Sequence, residues 1–374
     1  MHLSRLKNEI IINVKNLPGR SSRRKMVVFE CDDWGGIRTP SREVYQNLAS
    51  KGLVKSDCRY RLDTMATEED LEQLFEVLES EKDSKGHAAV MTPVCNVANP
   101  DFKKIRQSGF REYHYETFIN TLQRYNRGSR VMKLWKEGME RGLFVPELHG
   151  REHLAVQLWL QKLREGNKDL LYAFSHEFTS LELAHMKPGA SGFRAEFFFD
   201  TREQIPFLKK SIKSGTSIFE TEFGYTPRVF VPSNAIFHPS LESSVAEAGI
   251  KFLNVGHLNE IPDGAGGLKR KYYRNGKQSS TGVSYYVRNC SFEPSEPDYN
   301  GVESTLKQIE AAFRWGKPAI ISTHRVNFVG GIEPENREKG LSELKILLKE
   351  IKGKWPETEF MSSADMFKVV YPDN

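Results

Sequence analysis

Cysteine is scarce: Cys31, Cys58, Cys95 and Cys290 are the four in 374 residues, and no two stand at a CxxC spacing. A disulfide framework and a thiolate zinc cluster are thereby excluded, and the four read as free thiols of a reducing compartment. Long apolar runs are missing too. The N-terminal Ile10-Ile11-Ile12 stands among charged and polar residues, far short of a signal-peptide core or of the roughly 18 apolar residues of a membrane span. No span is expected, and the expected location is the cytoplasm. An excess of one charge is also lacking: 54 Lys+Arg face 49 Asp+Glu, leaving +5. General nucleic-acid binding is not expected of so balanced a chain, and any basic site has to be local. Internal repeats and low-complexity linkers are absent, so residues 1–374 read as a single domain.

Apolar material, by contrast, is ample. Hydrophobic residues make up 39% and aromatics 11%, with 23 Phe and 13 Tyr, which excludes global disorder. Short apolar runs at 26–31, 88–91, 142–145, 192–194, 228–231, 252–255, 283–287 and 319–322 alternate with helical patterns. That alternation predicts an α/β fold with a parallel sheet or barrel. One predicted helix, 68–80, opens on Thr67 with Asp70 three residues on, like a capping box. Residues 96–140, rich in Arg, Tyr and Phe, read as a helical insertion. Residues 261–281 read as a loop insertion, glycine-rich and then basic over Lys269 to Arg274.

Several apolar runs end in residues that do chemistry, as strands of an α/β barrel do at their carboxyl ends. Asp32-Asp33 follows the first, and where a strand turns both carboxylates can reach one site, one as metal ligand and one as base. The alternative is a turn or helix cap. His149-Gly150-Arg151-Glu152-His153 follows the third and opens a helix. Its histidines, at i and i+4 on one helix face, suit a single divalent ion that Asp33 would complete as His2Asp. The same five residues fit an inverted zincin with Glu152 as base. Arg194, in Gly192-Phe193-Arg194, would hold a neighbouring Asp ionised, and His324 at the last strand end would donate a proton. Taken singly, Arg194 reads as a surface ion pair and His324 as a satisfied core histidine.

In chain order these features resemble the polysaccharide deacetylases with a NodB-like domain. Their motifs are Thr-Phe-Asp-Asp-Gly, His-[Ser/Thr]-x-x-His, Arg-x-Pro-Tyr and Leu-x-His, and the resemblance spans residues 26 to 328. It implies a distorted (β/α)7 barrel with helical and loop insertions. It also implies a metal-dependent hydrolase that removes an N-acetyl or O-acetyl group from a sugar or polysaccharide precursor. Asp32 matches the general base, Asp33, His149 and His153 the metal ligands, Arg194 the arginine that tethers the base, and His324 the general acid. Zinc is the implied ion. The expected partner is an N-acetylated saccharide, carried on a nucleotide or a lipid if the enzyme builds surface polysaccharide.

The chain departs from the pattern in four places. Trp34 replaces the first Gly, Gly150 the Ser or Thr, and Ala195-Glu196-Phe197 the Pro and Tyr positions. The Asp-Trp motif that usually precedes the last one has no counterpart. Two rivals remain: a catalytically degenerate barrel that binds glycans, and the inverted-zincin peptidase using His149, Glu152 and His153. Trp34, Phe197, Phe198, Phe199 and Tyr225 are possible stacking faces for a sugar. The run Lys269 to Arg274 is a possible contact for an anionic saccharide, a nucleotide-sugar phosphate or a lipid diphosphate, with a solvated loop as the alternative.

Overall fold

The computed structural model describes residues 9–125, 128–183 and 192–372. The start of the N-terminal segment, residues 126–127 of the expected helical insertion and the last two residues lie outside them.

Every residue of β1 (Met26–Trp34) is buried, and its apolar opening, Met26–Phe29, suits a strand covered on both faces. Around it run β2 (Met91–Asn96), β3 (Glu147–Gly150), β4 (Val229–Phe230), β5 (Phe252–Asn254), β6 (Ser284–Tyr286), β7 (Cys290–Ser291), β8 (Ala319–His324) and β9 (Glu359–Phe360). All pair in parallel, in the order β6-β5-β4-β3-β2-β1-β8-β7, with β9 beside β1. The sheet curls: the Tyr286 hydroxyl of β6 donates to the Glu30 carboxylate of β1 at 3.0 Å, across the interior from the far end of that order. This is the expected distorted (β/α)7 barrel. Amphipathic helices such as Glu68–Glu79, Ile205–Phe223 and Val302–Arg314 cover its outside, and the Thr67–Asp70 capping box is formed.

Three expectations change. Residues 192–194 form a turn that begins at Gly192 with φ +64, and Phe193 is buried in a second apolar cluster with Trp159 and Phe174. That apolar run marks burial, not a strand. The 142–145 run contributes only an isolated bridge, Met91 to Phe144, and the strand proper starts at Glu147. Residues 261–281 are not simply a loop: Leu258–Pro262 and Leu268–Tyr272 form an antiparallel hairpin. At its tip the Asp263 carboxylate accepts from the Ala265 and Gly267 N–H groups at 2.8 and 2.9 Å, a side-chain-stabilised turn. The insertion at 96–140 holds the expected helices, Phe102–Gln107, Phe118–Arg124 and Gly128–Glu140, with a short hairpin of Ala98–Pro100 and Tyr115–Thr117.

Candidate metal centre and cleft

Neighbouring residues of a strand point to opposite faces, yet Asp32 and Asp33 both line one cleft of about 310 Å³. Two local features bring this about. The β1–β2 register slips between Cys31 and Trp34, and Asp33 takes a left-handed backbone with φ +71. A bulge re-aims side chains in this way, and positive φ in a non-glycine residue is strain of the sort found at functional sites. Trp34 then turns into the core, edge-on to Trp135 and Phe144 at 5.7 and 5.0 Å.

Asp33, His149 and His153 each offer one ligand atom, all within 4.8 Å of one another. The two Nε2 atoms lie 3.5 and 3.3 Å from Asp33 Oδ1. That oxygen is buried without a hydrogen-bond partner, while Oδ2 accepts from Arg38 at 3.1 Å. His149 Nδ1 is 2.6 Å from the Val231 carbonyl. A carbonyl only accepts, so Nδ1 carries the proton and Nε2 presents its lone pair to the site. Burial pushes His153 down to about 3 against the pull of Asp33, so it is neutral. Burial raises the Asp33 carboxyl, but the Arg38 charge outweighs it and holds it well below the usual range. One carboxylate and two imidazoles fit a divalent ion such as zinc. His149 sits in β3, whereas His153 lies in the turn before the helix Val156–Arg164, so a strand end and a turn bring the pair together, not a helix face.

Asp32 is gripped from the other side. Arg288 donates from Nη1 and Nη2 to its two oxygens at 2.6 and 2.7 Å and from Nε to Glu30 at 2.5 Å. Burial opposes ionisation of Asp32, but the Arg288 charge and hydrogen bonds prevail and lower its pKa. The tether expected of Arg194 therefore comes from Arg288, two residues past β6, while Arg194 pairs with Glu182 at 2.6 Å and lies over the Tyr60 ring. His324, at the end of β8, lines the same cleft. Its Nδ1 meets Glu293 Oε1 at 2.6 Å, and Glu293 also accepts from Arg59 and Asn327 at 2.8 and 2.9 Å. Burial works against the imidazolium, but Glu293 with Asp33 and Asp32 raises His324 to about 9. With Nδ1 committed, Nε2 is the nitrogen left to donate.

Arg288, Glu293, Arg38 and Tyr60 were missed in the sequence. Arg288 closes the 283–287 apolar run, so the strand-end criterion that singled out His324 also points to it. Glu293 stands two residues past β7, beside β8, where no Asp-Trp dipeptide flags it.

The model of glycosyl hydrolase family 57 matches residues 99–295, more than half of the chain. The chain belongs to glycosyl hydrolase family 57. The expected deacetylase resemblance is thus met at the coarser level of a carbohydrate-active hydrolase barrel. The matched segment contains His149, His153, Arg288 and Glu293 and leaves out Asp32, Asp33 and His324. No curated protein matches. Among solved structures, a probable polysaccharide deacetylase from Pseudomonas aeruginosa PAO1 is 10% identical, with TM-score 0.46 and coverage of 94% of this chain and 93% of that one. A 4-alpha-glucanotransferase from Thermococcus litoralis is 12% identical, with TM-score 0.42 and coverage of 92% of this chain; the present chain spans 40% of its length. A family 4 acetyl xylan esterase from Clostridium thermocellum is 13% identical, with TM-score 0.35 and coverage of 92% and 91%.

Two departures in this family 57 chain explain each other. Gly150 has φ +144, and a Cβ on it would lie 2.0 Å from Glu196 Oε2. Glu196 is itself buried, its other oxygen held by the Ser211 hydroxyl at 2.6 Å. A Ser or Thr at 150 would therefore strain the backbone and displace the buried Glu196 carboxylate. Gly150→Ala is expected to cost about 2 kcal/mol or more from backbone strain and clash, read from the urea midpoint. The double variant with Glu196→Ala recovers part of the loss, and an unchanged midpoint in the single variant contradicts the coupling.

The remaining candidates fall outside the site. Glu152 is buried and held by Arg151 at 2.6 and 2.8 Å, and the helix that an inverted zincin needs is missing there. Trp34, Phe197, Phe198 and Phe199 are buried, and the Tyr225 hydroxyl donates to the Pro146 carbonyl at 2.6 Å. These five are packing residues, not stacking faces for a sugar. The aromatic ring that does line the cleft is Tyr60.

Proposed function

We propose that this chain is a metal-dependent hydrolase that removes an acetyl group from an N-acetylated, or O-acetylated, saccharide. The supporting observation is how ionisation is distributed in the cleft. Its lining carboxylates are Asp32 and Asp33, and both are pulled down. Glycosidic cleavage by paired carboxyls needs one of them protonated beside the bond. Burial does push up two nearby carboxyls, Glu147 to about 8 and Glu196 well above its usual range, but neither lines the cleft. The acid available there is the His324 imidazolium.

Asp33, His149 and His153 would hold the cation, for which zinc is our choice. A divalent ion at this place supplies Lewis-acid polarisation of the acyl carbonyl. Asp32, ionised and fixed in orientation by Arg288, accepts the proton of the attacking water, and His324 gives a proton to the departing amine. Arg38 occupies Asp33 Oδ2 and so leaves Oδ1 for the metal. Residues 1–374 are taken as one catalytic barrel. Free Cys31, Cys58, Cys95 and Cys290 agree with a reducing compartment, and we place the substrate among nucleotide- or lipid-linked precursors of surface polysaccharide. No helix among the described residues is long and apolar enough to cross a membrane.

The test is acetate release by the zinc-loaded chain from N-acetylglucosamine oligomers, a nucleotide-linked N-acetyl sugar and an O-acetylated sugar, with reducing-end release from α-glucan measured alongside. Acetate release that stops on chelation is expected. New reducing ends without acetate make the chain a glycosidase instead. Bound metal without hydrolysis makes it a glycan-binding barrel, and peptide cleavage lost in Glu152→Ala makes it a peptidase.

A further inference from the structure

Residues 9–14 are helical, and the turn after them carries the helical spacing to Leu17, whose N–H donates to the Val14 carbonyl. Ile10, Ile11, Val14 and Leu17, at i, i+1, i+4 and i+7, share one face and are 51–55% exposed. Orientation is the reverse of a core-facing helix. Asn16 is the buried residue here, its Oδ1 accepting from Asn289 at 2.8 Å, and the apolar face points outward.

The apolar face does not end with this segment. On one side the Trp315 indole donates to Asn13 Oδ1 at 3.0 Å. On the other, His257 Nε2 meets the Lys15 carbonyl at 2.9 Å and its ring is parallel to Tyr272. Tyr272 stands opposite Leu258 across the hairpin. Tyr272, Leu258 and Trp315 are 65, 57 and 41% exposed. With Ile10, Ile11, Val14 and Leu17 they make seven of the nine exposed large hydrophobic residues described. Such clustering marks an interaction surface.

Exposed cations frame it. Lys269 and Arg270 lie on the hairpin strand and Arg274 just beyond it. A groove of about 640 Å³ runs between Arg20, Tyr272, Arg274 and Lys277. The acids nearby are Glu9, beside Ile10 on the helix, Asp263 at the hairpin tip, its carboxylate turned onto the Ala265 and Gly267 N–H groups, Glu260, opposite Arg270, Glu242, near Lys271, and Glu310, paired with Arg314. Outward aliphatics, exposed Trp and Tyr, and a cationic margin together match the interface of a bilayer with anionic headgroups.

We propose that this face docks the protein on an anionic lipid membrane. The hairpin rises from the wall of the cleft: Gly256 lines it, and Asn259 Nδ2 donates to the carbonyl of cleft-lining Ala235 at 3.0 Å. Docking therefore sets the cleft mouth beside the headgroup layer. It stands independently of the chemistry in the cleft.

The test is cosedimentation of the full chain with vesicles of phosphatidylcholine alone and of phosphatidylcholine with phosphatidylglycerol, with light scattering on the protein without lipid. Binding to the anionic vesicles, weakened by salt, is expected. Ile11→Glu/Val14→Glu and, separately, Lys269→Glu/Arg270→Glu each lower binding about tenfold or more, with unchanged circular dichroism. The proposal is overturned by absence of binding to the anionic vesicles or by binding that neither variant weakens. A dimer that dissociates in Ile11→Glu/Val14→Glu also overturns it, because the face is then a protein interface.

Discussion

Asp33→Ala is expected to leave the protein without metal and to lower kcat/KM by about 10⁴-fold or more, whereas Asp32→Asn keeps the metal and loses about 10²–10⁴-fold. The two side chains are adjacent in sequence but occupied differently. Asp33 Oδ1 is the buried oxygen without a hydrogen-bond partner, facing both imidazoles, while both oxygens of Asp32 are taken by Arg288. Folding survives the first change because Arg38, which loses Asp33, retains Asp63 at 3.3 Å. Backbone geometry adds a second comparison. Asp33 has φ +71, a conformation that costs an L-residue about 1 kcal/mol and glycine almost nothing. Asp33→Gly is therefore expected to be more stable than Asp33→Ala by about 1 kcal/mol and equally devoid of metal. Elemental analysis, urea unfolding and turnover of the three variants check this. Metal content unchanged in Asp33→Ala means that the ligand assignment is wrong.

The order of strand-end residues was readable because each pairs a chemically distinctive type with an apolar run just before it. Asp32-Asp33 after Met26–Cys31 and His324 after Ala319–Ser322 need no tertiary information. What brings both aspartates into one cleft was not readable: the register slip and the positive φ of Asp33 are backbone events that no side-chain pattern reports. Arginine is the hardest type to place from sequence. Arg194 and Arg288 each follow a short run with an aromatic residue, and only the curl of the sheet, which carries β6 back across the interior to Glu30 and Asp32, decides between them. Aromatic residues misled for a related reason. Trp34 beside two cleft carboxylates suggests a sugar-stacking platform, but the bulge that turns Asp33 outward turns Trp34 inward onto Trp135 and Phe144. Position 150 shows the opposite limit. Its glycine looks like a loss from the histidine motif until the buried Glu196 carboxyl beside it is seen to require it.

Glu293→Gln is expected to move the alkaline limb of the pH–rate profile to lower pH while leaving metal content unchanged. Glu293 holds His324 through a charge-assisted hydrogen bond of 2.6 Å and is the leading cause, against burial, of a pKa raised to about 9. Sign follows from the role: the acid works as imidazolium, so activity is present below the His324 pKa and is lost as pH rises through it. A bound divalent cation would add positive charge to the same cleft and set the His324 pKa of the loaded enzyme below that of the metal-free protein. Removing the Glu293 charge lowers it further in either state. A fall toward the ordinary imidazole range reduces turnover at pH 8 more than at pH 6. His324→Ala lacks the limb altogether and loses about 10²-fold or more across the range. A purely structural Glu293 predicts a different pattern: lower stability, lower kcat at every pH and an unmoved limb. Rate profiles of wild type and the two variants between pH 5 and pH 10, with unfolding curves alongside, separate these outcomes. An alkaline limb that stays in place in Glu293→Gln removes the ion pair from the mechanism.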